Sequence, residues 1–535
     1  MENQLCIGVV APEADGGEKV VHSEAKEAQP FPVPVAELAA GDPLLESWPL
    51  ICPTGFREYD ARWWYGLAGD PRRAQINLVG LHAVGLGLGT LALRKGRGAR
   101  FVTAHDYRSY SLAVKSALNA GLIAAGCDVH DIGLATTPMA YFAQFALDAS
   151  GVAMVTASHN ENGWTGVKMG LERPVTLGPD EMSELKSIVL NADFERPGSG
   201  QYSLHTEMRQ EYIEDLVAEK SVSRPLRVVV ACGNGTAGAF APDVLRRLGC
   251  DVVELDCALD YSFPRYNPNP EDLTMLSAMK EAVLANGADI GLGFDGDGDR
   301  CGVVDEIGSA IFSDKVGVLL ARDLAQIHGP SHFVVDVKST ALFETDPQLR
   351  KAGGTVEYWK TGHSHIKRRV RDSNALAGFE KSGHFFFNGP IGRGYDDGLL
   401  TAIAVINMLD RHPGKSLGEI YATLERTWAS PTMSPHCDDE KKYQVVDRIL
   451  EKLEDRFRRG QSFSNHSIDE IVTVNGVRIR TKDGTWGLVR ASSNKPELVV
   501  VIESPVSEKR MKEMFAAINE LLSEFPEVGT YNQML

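Results

Sequence analysis

The chain has 535 residues, of which 43% are hydrophobic and 24% are charged, and its formal net charge is −17 at pH 7. This composition is typical of a globular protein, and the length is enough for about three or four domains. The acidic charge argues against nonspecific binding to nucleic acid or to anionic membranes, because both depend on basic surface.

The cysteines and the N-terminus indicate a cellular compartment. Eight cysteines are scattered without CxxC spacing, which favours neither a zinc site nor a disulfide framework. No apolar run reaches the roughly 18 residues of a membrane helix, and the acidic N-terminus lacks the order of a signal peptide. We therefore expect a cytoplasmic protein in a reducing environment, with no membrane partner.

In chain order, the first predicted segment is a tail. Residues 1–50 mix Glu, Ala, Pro and Gly with little periodicity, which predicts an N-terminal tail with some mobility. From residue 51 onward, short β-branched runs alternate with helical stretches, as at 100–104, 111–125 and 152–156. That alternation predicts an α/β domain over residues 51–200 with a largely parallel sheet.

The same alternation recurs twice more before the pattern changes. A strand at 227–231 runs into a glycine-rich loop, and another strand is predicted at 333–337. These features predict α/β domains at 201–310 and 311–425, and the loops after the strands are where open α/β sheets bind ligands. After a proline-containing crossover, residues 426–535 show the mixed pattern of an α+β domain.

A serine stands in one of these loops. Residues 156–160 read Thr-Ala-Ser-His-Asn, so Ser158 lies just past a predicted strand and beside His159. A hydroxyl is a weak nucleophile that needs a base or a metal to react. The alternative is a Ser-His pair that merely caps a turn, whereas a serine hydrolase is disfavoured because no G-x-S-x-G motif is present.

Three carboxylates follow a later predicted strand at alternate positions, in Asp295, Asp297 and Asp299. On an extended segment these side chains point the same way, and they repel one another unless a cation lies among them. Oxygen ligands without His or Cys favour magnesium or calcium over zinc. A serine beside such an ion predicts phosphoryl transfer.

The carboxylates allow two other interpretations. Together with Glu306 they match positions 1, 3, 5 and 12 of an EF-hand loop, but Arg300 stands at the sixth position, where glycine makes the turn. The preceding pattern is also strand-like rather than helical. A solvated acidic turn without metal is the second alternative.

At this point several separated motifs resemble those of the α-D-phosphohexomutases, specifically the phosphomannomutase/phosphoglucomutase group. Residues 156–160 resemble the phosphoserine loop and residues 295–300 the magnesium loop. Residues 378–384 resemble the sugar-recognition loop, and residues 490–496 the phosphate-binding loop of the last domain. There is one motif in each predicted domain, and the similarity extends from about residue 51 to near the C-terminus.

The resemblance implies a fold and a reaction. It implies three consecutive α/β domains with mixed sheets and a smaller C-terminal α+β domain around a central cleft. Phosphorylated Ser158 would donate its phosphoryl group to a hexose 1- or 6-phosphate, through a hexose 1,6-bisphosphate that also acts as activator. The implied ligands of Mg²⁺ are Ser158, Asp295, Asp297 and Asp299. Sugar phosphates are the implied partners, and a monomer or small homo-oligomer is expected.

The resemblance also implies roles for individual residues. Lys168 would be the acid/base with a pKa lowered by cationic neighbours, although a lone lysine is more often exposed. His363 would be a second acid/base, His159 would assist catalysis and Arg300 would clamp the transferring phosphate. The implied substrate-binding residues are Tyr59, Arg62, Lys338, Glu380, Ser382, His384, Arg490, Ser492, Ser493 and Asn494.

The motifs leave alternatives for the sugar and for the reaction. Glu380 and Ser382 can bond the 3- and 4-hydroxyls of glucose and mannose alike, so phosphoglucomutase is a close alternative to phosphomannomutase as the main activity. A sugar-phosphate phosphatase and a noncatalytic sensor are further alternatives. Trp63 stands where the family usually has glycine, which predicts a different cleft entrance. Reorientation of the bisphosphate predicts a hinge near residues 420–440.

Overall fold

The structure is a computed structural model that describes residues 31–198, 200–218, 222–493 and 495–534. Residues 1–30 of the predicted tail, and Asn494 of the predicted site, lie outside the described residues. The following part of the tail is bonded to the first domain, because Val35 pairs with Leu50 and the Ile51 N–H donates to the Val35 carbonyl. The mobility of the tail stays a prediction.

The first sheet is mixed. Its strands are β1 (Ala61–Trp64), β2 (Arg100–His105), β3 (Asp128–Leu134), β4 (Gly151–Val155), β5 (Trp164–Gly170) and β6 (Tyr202–Leu204). They lie in the order β1-β5-β4-β2-β3-β6, parallel from β4 to β6 and antiparallel at β1 and β5. The helices are α1 (Leu78–Arg94), α2 (Ser111–Ala124), α3 (Thr137–Ala146) and α4 (Pro179–Leu190). The serine loop connects β4 to β5.

The second sheet places the carboxylate loop in a hairpin. Its strands are β7 (Arg227–Ala231), β8 (Asp251–Leu255), β9 (Ile290–Phe294), β10 (Cys301–Asp305) and β11 (Ala310–Ile311), in the order β11-β10-β9-β7-β8. The helices are α5 (Met208–Val217), α6 (Ala241–Arg247) and α7 (Leu273–Asn286). Strands β9 and β10 pair antiparallel, so residues 295–300 connect two strands rather than two helices, and the EF-hand alternative is wrong.

The third sheet carries the predicted sugar-recognition loop between its last two strands. These strands are β12 (His332–Asp336), β13 (Thr355–Trp359), β14 (Ala377–Phe379) and β15 (Phe385–Phe387), in the order β13-β12-β14-β15. The helices are α8 (Ser313–His328), α9 (Leu342–Thr345), α10 (Pro347–Lys351), α11 (His363–Ser373), α12 (Gly398–Asp410) and α13 (Leu417–Tyr421). Strands β14 and β15 are antiparallel, whereas β12 is parallel to both of its neighbours.

The last sheet is antiparallel throughout. Its strands are β16 (Trp428–Ala429), β17 (Ser462–Phe463), β18 (His466–Val472), β19 (Val477–Thr481), β20 (Trp486–Ala491) and β21 (Leu498–Ser504), in the order β16-β21-β20-β19-β18-β17. Helices α14 (Lys442–Arg458) and α15 (Glu508–Ser523) accompany it. The predicted fold class of three α/β domains with mixed sheets and a C-terminal α+β domain is confirmed.

The longest helices differ in how they are buried. Helix α1 is apolar on most sides because it packs against both α2 and α4, and Gly121 lies so close to it that a Cβ there would be 2.1 Å from the His82 carbonyl. Helix α14 instead buries one stripe, which includes Val445, Ile449 and Leu453. None of the described helices combines the length and the apolar character needed to cross a membrane.

The buried cores divide the chain unequally. One hydrophobic cluster runs through the first three domains, from Val102 to Leu424. Short 3₁₀ helices at Pro53–Gly55 and Thr236–Ala239 complete the described helical segments. The last domain has its own core, around Ile449, Ile502 and Met514. A smaller cluster packs Val337 of the third domain against Trp486 and Val501 of the last domain, so the two domains share an apolar contact.

Candidate active site

Ser158 is held in a buried and strained loop. Ser158 is 3% exposed. Its backbone has a φ of +50°, in the left-handed region that non-glycine residues seldom adopt. The Ser158 N–H donates to Thr156 Oγ1 at 2.8 Å, and its carbonyl accepts from Arg108 Nη2 at 2.9 Å. The hydroxyl is therefore presented by a fixed backbone.

A residue that the sequence analysis missed braces this loop. Asp106 Oδ2 accepts from Thr156 Oγ1 at 2.9 Å and from the Ala157 N–H at 3.3 Å. It also lies 3.2 Å from Arg108 Nε. A signal was available, because Asp106 directly follows β2, whose carboxyl end lies beside that of the parallel strand β4.

The carboxylate loop meets the serine loop directly. Ser158 Oγ donates to Asp295 Oδ2 at 3.0 Å across 137 positions of sequence. Gly296 permits this approach, because a Cβ on it would lie 2.5 Å from the Ser158 carbonyl oxygen. Two motifs that the sequence analysis treated separately thus form one centre.

The three aspartates form a buried oxygen site. Asp295, Asp297 and Asp299 are each 0% exposed, so the solvated-turn alternative is wrong. They offer one oxygen each within 4.8 Å of the others. Burial raises the pKa of Asp295 to about 7, against the opposing charge of Arg300. Among the described residues, Asp297 Oδ1 and Asp299 Oδ1 have no hydrogen-bond partner. This donor set fits a hard divalent cation.

Lys168, on β5, contacts the same carboxylates. Its Nζ lies 2.7 Å from Asp297 Oδ2 and forms a second ion pair with Asp299. Burial acts to lower the pKa of Lys168, but the two carboxylates outweigh burial and hold this pKa well above its ordinary value. The expected lowering by cationic neighbours is therefore wrong, because the nearest charges are negative.

Asp297 is fixed from two further sides. Its Oδ2 accepts from Thr137 Oγ1 at 2.6 Å, and its carbonyl accepts from the Thr137 N–H at 2.8 Å. Burial acts to raise the pKa of Asp297, but the ammonium of Lys168 outweighs burial and keeps this pKa below its ordinary value. The start of α3 is thereby attached to the carboxylate loop.

Arg300 and His159 flank the serine. Arg300 Nε donates to Asp295 Oδ2 at 3.0 Å, while its Nη2 is buried without a hydrogen-bond partner among the described residues. His159 Nδ1 lies 3.2 Å from Ser158 Oγ. Burial lowers the pKa of His159 well below its ordinary value, and Arg300 and Arg62 lower it further. An anion at this place would find a free guanidinium nitrogen and a neutral imidazole.

The N-terminal motif lies beside these loops. Arg62 donates from Nη1 to Asn160 Oδ1 at 3.1 Å and from Nε to Asp60 Oδ2 at 2.9 Å. The ring of Tyr59 stands edge-on to that of His363, with 4.9 Å between ring centroids. Arg62 on β1 therefore contacts the serine loop, and Tyr59, just before β1, contacts the first residue of α11.

Trp63 does not alter the cleft entrance as predicted. Its side chain is 0% exposed, its indole N–H donates to the Cys52 carbonyl at 2.9 Å, and its ring packs edge-on against Phe56 at 5.2 Å. Because strand side chains alternate between faces, Trp63 points into the domain interior while Arg62 points to the site.

The predicted sugar-recognition residues form a second cluster. Glu380 Oε1 accepts from the Gly362 N–H at 2.6 Å, and Oε2 accepts from Ser382 Oγ at 3.1 Å. Burial raises the pKa of Glu380. Lys338 Nζ lies 3.7 Å from Asp336. Neither ring nitrogen of His363 has a hydrogen-bond partner among the described residues, and burial lowers the pKa of His363 well below its ordinary value.

His384 links this second cluster to the carboxylate loop. Its backbone forms a β-bridge with that of Arg300, and the Cys301 N–H donates to the Gly383 carbonyl at 3.4 Å. Its Nδ1 lies 3.6 Å from Asp299 Oδ1 and 3.0 Å from Asp396 Oδ2. Asp396 was not predicted from the sequence, and the N-cap of the following helix is its neighbour Asp397.

The loop of the last domain is held at both ends. Lys442 Nζ donates to the carbonyls of Ser492 at 2.5 Å and Lys495 at 3.0 Å. Glu58, from the N-terminal motif, accepts from His365 Nε2 at 2.8 Å. Burial acts to raise the pKa of Glu58, but hydrogen bonds from His365 and Ser493 and the charge of Arg490 keep it lowered. A carboxylate therefore stands at the predicted phosphate loop.

The sequence matches four family models along its length. They are described as phosphoglucomutase/phosphomannomutase alpha/beta/alpha domain I over residues 56–196, domain II over 210–308 and domain III over 312–427. The fourth, the C-terminal domain of the same family, matches residues 436–521.

Individual relatives agree with these matches. A phosphomannomutase/phosphoglucomutase of Pseudomonas putida is 32% identical over 88% of this chain and 96% of its own. A phosphoglucomutase of Neisseria gonorrhoeae is 31% identical over 87% of this chain and 96% of its own. The crystal structure of a phosphoglucomutase/phosphomannomutase family protein from Burkholderia thailandensis is 30% identical, with a TM-score of 0.78, and covers 90% of this chain and 99% of its own.

Proposed function

The chain belongs to the phosphoglucomutase/phosphomannomutase family and is a phosphohexomutase, and we propose that Ser158 carries the phosphoryl group between the 1- and 6-positions of a hexose. The observation that carries this proposal is the contact of Ser158 Oγ with the buried carboxylate of Asp295 at 3.0 Å. Phosphoserine and the aspartates are all anions and repel one another unless a cation is bound among them. A serine in this position is therefore suited to carrying a phosphoryl group when the cation is present.

The proposed cation is Mg²⁺, held by Asp295, Asp297, Asp299 and Ser158. When bound, it supplies positive charge that stabilises the transferring phosphoryl group. The chain's own residues do the rest. Arg300 offers its unpaired Nη2 to a nonbridging phosphoryl oxygen, and its Nε stays on Asp295, which orients the guanidinium.

The transfer makes one P–O bond and breaks another. The bond between phosphorus and Ser158 Oγ breaks while a bond to the free hydroxyl of the sugar phosphate forms, and the proton of that hydroxyl must leave. Lys168 and His363 are the proposed acid and base, and His159 assists at the serine. The unpaired ring nitrogens of His363 favour it as acceptor, since the ammonium of Lys168 already donates to two carboxylates.

The sugar is proposed to be read by Glu380 and Ser382. Their mutual hydrogen bond and the Gly362 N–H fix the carboxylate, so its remaining lone pairs accept from two neighbouring hydroxyls of the hexose. Tyr59, Arg62, Lys338 and His384 complete this part of the site. Because the 2-hydroxyl is not contacted in this scheme, mannose and glucose phosphates both serve, with phosphoglucomutase activity as the alternative main activity.

The distal phosphate is proposed to bind the last domain. Arg490, Ser492 and Ser493 supply a guanidinium and hydroxyls, with Asn494 as a fourth member. After the first transfer the bisphosphate turns over, and the last domain rotates about residues 420–440 to permit this. Small-angle scattering with and without glucose 1,6-bisphosphate tests the rotation, and an unchanged radius of gyration and domain spacing contradicts it.

One experiment tests the function as a whole. The protein is incubated with magnesium, a trace of glucose 1,6-bisphosphate and either mannose 1-phosphate or glucose 1-phosphate, and the products are followed by phosphorus NMR. We expect the 6-phosphates to appear, to be lost in Ser158→Ala and to be retained in Ser203→Ala. Inorganic phosphate alone would instead indicate a phosphatase, and unchanged spectra a noncatalytic sensor.

A further inference from the structure

The central strand of the third sheet ends in a buried carboxylate that has no role in the proposed reaction so far. Strand β12 lies between β13 and β14 and is parallel to both, so the carboxyl ends of the three strands adjoin. Asp336 is the last residue of β12 and is 0% exposed. A carboxylate buried to this degree is costly unless hydrogen bonds satisfy its oxygens.

The donors to Asp336 come from the three loops that follow these strands. Ser339 Oγ, after β12, donates to Oδ1 at 2.5 Å. Thr361 Oγ1, after β13, donates to Oδ2 at 3.2 Å, and the Lys381 N–H, after β14, donates to Oδ1 at 3.2 Å. One carboxylate therefore joins all three strand ends.

Each of these segments also carries a residue with a predicted role at the sugar phosphate. Lys338 lies in the loop after β12, His363 starts the helix after β13, and Glu380 lies in the loop after β14. Each is one or two positions from the residue that bonds the carboxylate. Lys338 Nζ also lies 3.7 Å from Asp336 Oδ2. A shift of one loop relative to the others would therefore separate groups that must contact one ligand.

We propose that Asp336 is a positioning residue, which holds the three loops at the spacing at which Lys338, His363 and Glu380 contact the same sugar phosphate. The Glu380 carboxylate accepts from the Gly362 N–H at 2.6 Å, but this bond joins only the loops after β13 and β14. Asp336 adds the loop after β12. The inference rests on the proposed function in that these residues bind the sugar phosphate.

The last domain contacts two of the same loops. Arg478 donates to two carbonyls of the loop after β12 at 2.8 Å each, and Asn475 Oδ1 accepts from the Thr361 N–H at 3.3 Å. These bonds cross between domains, whereas the bonds to Asp336 all lie within the third domain. The spacing of the loops therefore does not rest on the last domain alone.

The first test needs no activity. In Asp336→Ala the loops lose their common acceptor, so we expect faster hydrogen exchange, measured by mass spectrometry, in peptides that cover residues 337–341, 360–364 and 379–384. The control is Asp346→Ala, which removes another buried carboxylate of the same domain, at the N-cap of α10. Unchanged exchange in the three loops, or an equal change in the control, overturns the proposal.

The second test compares Asp336→Ala with Asp336→Asn. Both lose the negative charge beside Lys338, but the asparagine variant keeps an oxygen for Ser339 and Lys381 and can donate an amide N–H to Thr361 Oγ1. We expect KM for glucose 1-phosphate to rise about 10- to 100-fold in the alanine variant and to return close to the wild-type value in the asparagine variant. Equal KM values in the two variants overturn the proposal.

A milder variant covers the case in which Asp336→Ala does not fold. Thr361→Val removes one of the three donors and leaves the carboxylate in place. We expect faster exchange in residues 360–364 and a rise in KM of about 10-fold, as for one hydrogen bond to a charged group. Unchanged exchange in these residues, or an unchanged KM, overturns the proposal.

Magnesium separates positioning from general damage. The carboxylate loop belongs to the second sheet, so magnesium should raise the melting temperature of Asp336→Ala as much as that of the wild-type protein. Loss of this effect in the variant alone overturns the proposal, because the damage then extends beyond the three loops. A wild-type protein that binds no sugar phosphate refutes the proposed function, whereas the exchange experiment still decides whether Asp336 holds the loops.

Discussion

The serine–aspartate centre and the phosphate loop of the last domain are built in opposite ways. The centre is made by loops of domains that share one hydrophobic core, and its acidic residues are fully buried and hydrogen-bonded from several sides. The phosphate loop stands on a domain with its own core, held by Lys442 and facing Glu58 across the domain boundary. The centre is therefore fixed by one shared core, whereas the predicted phosphate loop depends on the junction with the third domain, where Val337 packs in one cluster with Trp486 and Val501.

The largest expected effect comes from breaking the fixed centre. Asp297→Asn removes a metal oxygen and one partner of Lys168, so we expect kcat to fall by about 10⁴-fold, because the cation supplies several kcal/mol of transition-state stabilisation. Steady-state assays measure this. In parallel, magnesium should raise the melting temperature of the wild-type protein but not that of the variant. A variant that retains both effects contradicts the assignment of the metal ligands.

The next largest expected effect is on stability, at the contact between the third and last domains. Glu503 of β21 accepts from Thr340 Oγ1 at 2.9 Å and from Trp486 Nε1 at 3.0 Å, and it pairs with Lys315. Burial acts to raise its pKa, but Lys315 and the hydrogen bonds hold it below the ordinary value of 4.5. The contact therefore contributes stability above pH 4.5 that is lost as pH falls through the lowered pKa.

Glu503→Gln should accordingly cost about 3 kcal/mol near neutral pH, because it leaves Lys315 buried and unpaired. It should also flatten the acid limb of the stability profile. Calorimetry from pH 7 down to pH 3 measures both, with Glu508→Gln, an exposed residue of the same domain, as control. Equal melting curves for the two variants contradict the role of the junction.

Weakening the predicted phosphate loop should change binding more than chemistry. Arg490→Met removes the guanidinium of the phosphate loop, and we expect KM for the sugar phosphate to rise about 10- to 100-fold with little change in kcat, as for uniform binding energy. Arg448→Met, at an exposed ion pair of the same domain, serves as control. A fall in kcat at constant KM would place Arg490 in the chemical step instead.

The smallest expected effect is on substrate binding and comes from replacing Glu58, at the boundary between the first and last domains. The Glu58 carboxylate lies beside Arg490 and Ser493, where a substrate phosphate is proposed to bind. Glu58→Gln should lower KM about 2- to 5-fold, because exposed or half-exposed charge pairs contribute up to about 1 kcal/mol. Binding titrations with glucose 1-phosphate check the direction, and weaker binding would show that Glu58 supports the loop rather than competing with the ligand.

The sequence allowed prediction where chemistry is concentrated in a short stretch. The serine loop, the carboxylate loop and the order of the four domains were all expected from local patterns and from a family resemblance. Asp106 and Asp396 were missed, because the serine loop that Asp106 braces lies 50 positions later and the histidine beside Asp396 belongs to another loop. Their roles follow only from the way in which the sheets bring loop ends together.

The same limit explains the two errors about individual residues. The pKa of Lys168 was expected to fall, but the carboxylates that raise it come from a loop about 130 positions later. Trp63 was expected at the cleft entrance because of its place in a motif, yet its indole N–H is bonded to the Cys52 carbonyl inside the domain. The charges around a side chain, and the direction in which it points, depend on the tertiary structure.

The β-bridge between Arg300 and His384 fixes the distance between two loops of the site. It joins the main chain of the carboxylate loop to that of the predicted recognition loop, so the separation between these two loops is a property of the backbone. A side-chain replacement in either loop removes neither of the main-chain groups that form the bridge. Under the proposed function, this main-chain contact holds the serine centre and the sugar-binding loop next to each other.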